Sequence, residues 1–131
     1  MKVSSSFEVA LKPLEPYAAG AGGVNLGRMS IDKTFSGELS ATSKGEMLSA
    51  SSSVQGSAGY VAVEQVTGSL SGRQGSFVLQ HYGRMDKGKS FLLLEIVPGS
   101  GTGELKGIEG KMNIRIENKQ HFYDSEYEIT E

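Results

Sequence analysis

The chain has no cysteine, no tryptophan and only three prolines. Without cysteine there is no disulfide, no thiolate metal site and no cysteine nucleophile, and a reducing compartment is the natural setting. Its two histidines, His81 and His121, stand 40 positions apart (121 minus 81) with no H-E-x-x-H, which makes a dedicated zinc site a poor reading. No metal and no cofactor is expected. An excess of one charge is missing too: 13 basic and 15 acidic residues give a formal net charge of −2 and are scattered along the chain. A nucleic-acid partner would require a basic stripe interleaved with aromatics, and the densest stretch, Arg84 to Lys89, is short and carries Asp86. No apolar run approaches the roughly 20 residues a membrane helix needs. The start, Met1-Lys2-Val3-Ser4-Ser5-Ser6-Phe7-Glu8, lacks the apolar stretch of a secretory signal. The reading is a soluble, cytoplasmic protein with neither nucleic acid nor membrane as partner.

What the chain has in excess is glycine, 18 of 131 residues, about twice the usual share. The glycines stand between β-patterned runs rather than in a linker, so they read as turn punctuation. The phrase Thr67-Gly68-Ser69-Leu70-Ser71-Gly72-Arg73-Gln74-Gly75-Ser76-Phe77 returns as Thr102-Gly103-Glu104-Leu105-Lys106-Gly107-Ile108-Glu109-Gly110-Lys111-Met112, at an offset of 35 (102 minus 67). A weaker copy runs from Ser36-Gly37-Glu38-Leu39 to Lys44-Gly45-Glu46-Met47, so three hairpin-like corners share one pattern. Frequent turn signals and period-two apolar alternation mark an all-β chain. Strands are predicted near 4–12, 25–37, 45–54, 58–68, 75–83, 89–98, 110–118 and 121–130, with 13–24 the one substantial loop. The length suits one domain, residues 1–131. Consecutive short strands joined by tight turns predict a single antiparallel eight-stranded β-barrel, a closure that leaves no exposed edge. Such a barrel is just wide enough to be filled by side chains or to hold one small ligand.

The repeats also say which side chains point inward. Met112, Ile114 and Ile116 alternate with Asn113, Arg115 and Glu117, so the first set forms the buried face of its strand. Shifted back by 35, these positions fall on Phe77, Leu79 and His81, which turns His81 inward. Upstream, Met29, Ile31, Lys33 and Phe35 map by a shift of 31 (68 minus 37) onto Tyr60, Ala62, Glu64 and Val66, so Lys33 and Glu64 also face the interior. A lysine and a glutamate left dry and unpaired there would each cost several kcal/mol, so they must pair, meet water or face a ligand. Either could be bland: a lone inward histidine is commonly a hydrogen-bonded core residue, and Lys33 with Glu64 could be a barrel-mouth salt bridge without chemistry. Their convergence is what suggests a pocket. Tyr60, Tyr123 and Tyr127 could add phenol donors to it, although tyrosine is an ordinary strand residue.

Other motifs fail on context. Gly83-Arg84-Met85-Asp86-Lys87-Gly88-Lys89-Ser90 satisfies G-x-x-x-x-G-K-[ST], yet Phe91-Leu92-Leu93-Leu94-Glu95-Ile96-Val97-Pro98-Gly99 after it is a short apolar run, where a phosphate site needs a helix. A hairpin turn explains it better. His121, Asp124 and Glu126 share one strand, but His121 faces opposite to the two acids and cannot converge with them. No G-x-S-x-G elbow is present.

Phe35-Ser36-Gly37-Glu38-Leu39, Gly72-Arg73-Gln74-Gly75-Ser76-Phe77-Val78-Leu79-Gln80-His81 and Val97-Pro98-Gly99-Ser100-Gly101-Thr102-Gly103-Glu104-Leu105 together resemble the bacterial DUF3224 family over nearly the whole chain. The resemblance implies a barrel similar to allene oxide cyclase, with corners like those of dirigent proteins, whose members bind apolar or aromatic small molecules in the barrel. It brings no established activity, so no catalytic residue is carried over. The chain departs from the pattern in having Phe91-Leu92-Leu93-Leu94 where an aromatic-bearing strand is expected. Two functional classes follow. In one, the barrel binds a small, mainly apolar molecule, with Lys33, Glu64 and His81 orienting it or moving a proton in an isomerisation or cyclisation. In the other, the interior is filled and the protein is a non-catalytic structural or interaction module. Phe91 to Val97 and Tyr60 to Val63 are apolar on both faces, which points to a homo-oligomer covering the outer one.

Overall fold

Side-chain alternation of period two dominates the chain, and in the computed structural model, which describes residues 1–130, it is realised as strands with no helix among the described residues. They are β1 (Lys2–Leu14), β2 (Asn25–Gly37), β3 (Leu39–Ser51), β4 (Ala58–Leu70), β5 (Arg73–Asp86), β6 (Lys89–Ile96), β7 (Thr102–Gly103), β8 (Ile108–Glu117) and β9 (Gln120–Ile129). Each of the first five pairs antiparallel with the next, then β6 with β8, β8 with β9 and β9 with β1, which closes an eight-stranded barrel. The two-residue β7 adds a short pairing on Gly75 and Ser76 of β5.

Three hairpins turn on consecutive residues of positive φ: Ser71-Gly72, Lys87-Gly88 and Asn118-Lys119. Two such residues match the twist of the flanking strands, which is why these turns are tight. The phosphate-loop look-alike is therefore the β5–β6 hairpin. The strand expected from residue 45 instead begins at Leu39. In the third copy of the corner pattern the turn is confined to the vicinity of Glu38. Leu39, Ala41 and Ser43 then run inward and are buried, while Ser40, Thr42 and Lys44 are exposed. A short, polar side chain at Ser43 hides this alternation from hydropathy.

The barrel has two unlike halves. At the end of the Gly37 and Ser71-Gly72 corners, Leu39, Leu70, Phe77, Leu105, Ile108 and Tyr127 pack into a solid plug, all at most 2% exposed. The opposite end is open. Paired residues of an antiparallel sheet share a face, and the pairs Val9 with Lys33, Leu11 with Ile31 and Gly83 with Leu92 put Val9, Leu11 and Leu92 on the inner face. All three are nevertheless exposed. Ile116 was expected to be buried with Met112; it keeps the inner face through its pairing with His121 but is 66% exposed. Its place at the rim is the reason. β6 and β8 pair only at Leu94 with Met112 and Glu95 with Lys111, so they part above that level and leave the mouth wide.

Candidate functional site

Lys33 of β2, Ser43 of β3, Glu64 and Tyr60 of β4, His81 of β5 and Tyr123 of β9 meet where the plug ends and the mouth begins. Register brings them there: Lys33 lies opposite Ser43, Gly45 opposite Glu64 and Ala62 opposite His81, so neighbouring strands present their polar residues at nearly one height. Glu64 is the hub. Its Oε2 accepts hydrogen bonds from Lys33 Nζ at 2.9 Å, His81 Nε2 at 2.6 Å and the Tyr123 hydroxyl at 3.3 Å, while Oε1 accepts one from Ser43 Oγ at 2.8 Å. Lys33 Nζ also donates to the Tyr123 hydroxyl and lies 4.7 Å from the Tyr123 ring centroid and 5.1 Å from that of Phe7. The ammonium thus has an anion on one side and two aromatic faces beside it.

These contacts fix the charges. Burial alone would raise the Glu64 carboxyl, but the His81 hydrogen bond, the Lys33 charge and hydrogen bond, and the charge of His81 together outweigh it and hold the group at about 2, against an ordinary 4.5. Burial pulls the Lys33 ammonium below its usual value, and Glu64 only partly restores it. Burial, then the Glu64 charge and hydrogen bond, push the Tyr123 phenol well up, so it stays a neutral donor.

One line of contacts leaves the cluster toward solvent. In the neutral imidazole His81 donates through Nε2 to the Glu64 carboxylate and Nδ1 is left as the acceptor, with the Tyr60 hydroxyl 3.3 Å from it. Tyr60 stands opposite Gly83. A Cβ at Gly83 would come within 2.3 Å of the Tyr60 ring, so only glycine lets the ring lie flat across β5 with its hydroxyl at His81. On its other side Tyr60 walls a cavity of about 390 Å³ in the barrel mouth, shared with Met47, Ala58, Met85, Phe91 and Leu92 and rimmed by Ser49, Ser51 and Ser90.

Of the residues singled out from sequence, Lys33, Tyr60, Glu64, His81 and Tyr123 come together. Tyr127 does not: it is buried in the plug, where its hydroxyl bonds Ser71 Oγ at 3.1 Å. His121 packs on Phe7 with ring centroids 5.3 Å apart, and Asp124 turns outward to Arg115 and Ser4, so these two do not converge. Sequence reasoning missed Ser43, because the start of β3 was read too late, and Gly83, whose only signal is a glycine facing a strand aromatic.

Residues 3–127 match the family model described as "Protein of unknown function (DUF3224)". The chain is similar to a crystal structure of a protein with unknown function from the DUF3224 family of Shewanella oneidensis MR-1. The two are 60% identical, with a TM-score of 0.97, over 100% of this chain and 98% of that one. Among curated proteins none matches.

Proposed function

Because the chain belongs to the DUF3224 family, which brings a barrel but no activity, function has to be read from the site, and we propose that the open mouth binds a small, mainly apolar molecule. The observation that carries this is the ring of inner-face apolar side chains left exposed at one end only: Val9, Leu11, Met85, Leu92 and Ile116. A folding chain gains about 25 cal/mol for each Å² of apolar surface it hides. It has hidden such surface completely in the plug and left it open in the mouth. The cavity of about 390 Å³ lies in the range typical of small-molecule sites. Chemistry in such a site is isomerisation or cyclisation, in which the wall sets the shape of the ligand and one titratable group moves a proton.

The alternative, a non-catalytic structural or interaction module with a filled barrel, rests on the plug, which is side-chain filled. Thermal shift with a panel of small apolar compounds separates the two. Binding to the folded state raises the melting temperature with ligand concentration. Ala58→Trp, which fills the mouth from an exposed inner-face position, is expected to abolish that shift while leaving the fold intact. No shift in the parent, or equal shifts in both proteins, would remove the binding reading.

A further inference from the structure

We propose that Tyr60 is the group that meets the ligand's polar end, and that His81 and Glu64 act through it as a proton relay for a small apolar molecule carrying one enolic or phenolic hydroxyl. The proposal rests on the mouth-binding reading and adds the ligand's chemistry to it. Three features of the geometry point to it. The oxygens of Glu64 are occupied by Lys33, Ser43, Tyr123 and His81, so the carboxylate reaches the cavity only through His81. His81 in turn has one free nitrogen, Nδ1, aimed at the Tyr60 hydroxyl. Tyr60 in turn lines a largely apolar cavity whose other polar side chains are Ser49, Ser51, Ser90 and Arg84. A buried lysine–glutamate pair would be satisfied without this line. What His81 and Tyr60 add is a path from an ionised carboxylate to the mouth.

The step balances without a co-reactant. The ligand's O–H bond breaks as its proton bonds to Tyr60 Oη. The proton already on Tyr60 passes to His81 Nδ1, giving a ligand oxyanion, a neutral phenol and an imidazolium whose Nε2–H faces the Glu64 carboxylate. The carboxylate stabilises the imidazolium, as a buried acid does for a general-base histidine. Returning the proton through Tyr60 to a different ligand atom, such as the carbon end of an enol, completes a tautomerisation. Tyr60 would be the catalytic residue, and His81 and Glu64 positioning residues.

The test uses 4-nitrophenol, whose phenolate absorbs visible light, and 4-nitroanisole, its ether without the acidic proton, at a pH where free 4-nitrophenol is mostly un-ionised. Both are titrated into the parent protein, Tyr60→Phe and His81→Gln, with folding checked by far-ultraviolet circular dichroism. Tyr60→Phe keeps the ring over Gly83 and removes only the hydroxyl. The parent should bind both probes and show the phenolate band with 4-nitrophenol. Each variant should lose the band and bind 4-nitrophenol about tenfold more weakly, as for one lost hydrogen bond to a developing charge, while 4-nitroanisole affinity stays within about twofold. If the parent binds both probes but shows no band, or if the variants retain it, the relay is wrong and the mouth reading stands. If phenol and ether binding fall together in Tyr60→Phe, Tyr60 is only wall. If neither probe binds the parent, both proposals fall.

Discussion

Replacing Glu64 by glutamine should be among the most damaging conservative substitutions in this barrel, and the reason is the lysine rather than the glutamate. The amide keeps the volume, but with one acceptor oxygen it cannot accept from both Ser43 and Tyr123, and it leaves the Lys33 ammonium, its side chain 6% exposed, without an anion. Breaking a buried pair in this way costs about 3–5 kcal/mol. An independent route gives a similar size. The carboxyl is held at about 2 against an ordinary 4.5, and at about 1.4 kcal/mol per pH unit that difference is worth about 3 kcal/mol at neutral pH. For a chain of this size 1 kcal/mol moves the melting temperature by about 4 °C, so the drop should be about 10–20 °C. The double variant Lys33→Met, Glu64→Gln removes both charges and should recover most of the loss, because burial already works against the ammonium.

Urea denaturation followed by far-ultraviolet circular dichroism measures these differences. The pH dependence adds a second check. With the folded carboxyl below its ordinary value, the folded state binds fewer protons there. The Glu64 contribution is therefore fully present above about pH 4.5 and is lost as pH falls toward 2. The parent should show that loss and Glu64→Gln should not, while the contribution of Asp124, held down chiefly by its Arg115 hydrogen bond, is common to both. A single variant within 1 kcal/mol of the parent, or a double variant no more stable than Glu64→Gln, would refute the account.

Three further outcomes are expected. Gly83→Ala, whose Cβ would collide with the Tyr60 ring, should leave the β spectrum unchanged but weaken apolar ligand binding about tenfold in thermal-shift titration, since the ring must leave the cavity wall. Tyr127→Phe loses only the bond to Ser71 and should cost about 1 kcal/mol in urea denaturation with ligand affinity unchanged. The outer row Leu48, Val61, Tyr82 and Leu93, paired side by side across β3 to β6, should be covered by a second copy. A two-fold axis along that row sets Arg84, on the mouth side, over the level of Gln80 and Glu95 in the partner. Sedimentation should therefore give a dimer for the parent and a monomer for Tyr82→Glu, and a monomeric parent at tens of micromolar would exclude this interface.

How far the sequence carried the reading depended on which geometric quantity each residue needed. Alternation and the repeated corners determine which face a side chain takes, and that was enough to turn Lys33, Glu64 and His81 inward. Height along the barrel is a separate quantity. Tyr123 and Tyr127 share a face but differ by four residues, about 13 Å at the rise of a strand, so one reaches Glu64 and the other enters the plug. Ile116 stands as far from Met112 in the other direction and emerges at the rim. Closure was legible because strand after strand ended in a tight turn. The asymmetry between plug and mouth was not, since it depends on β6 and β8 parting above Leu94 and Met112, a long-range event to which no local pattern corresponds.

That asymmetry gives the charged cluster its two surroundings. Below Glu64 the packed plug excludes water, which strengthens the interaction of the carboxylate with Lys33 and His81. Above it Tyr60 opens onto a cavity that a ligand can enter. A pair kept for stability alone could be exchanged for apolar residues at little cost. The Lys33→Met, Glu64→Gln double variant therefore separates the two roles within one protein. If the charges serve only the fold, a variant that regains stability keeps every ligand response of the parent. If they serve the mouth, the barrel stands, 4-nitroanisole still binds, and the phenolate band of bound 4-nitrophenol disappears because the His81 imidazolium has lost its counter-charge.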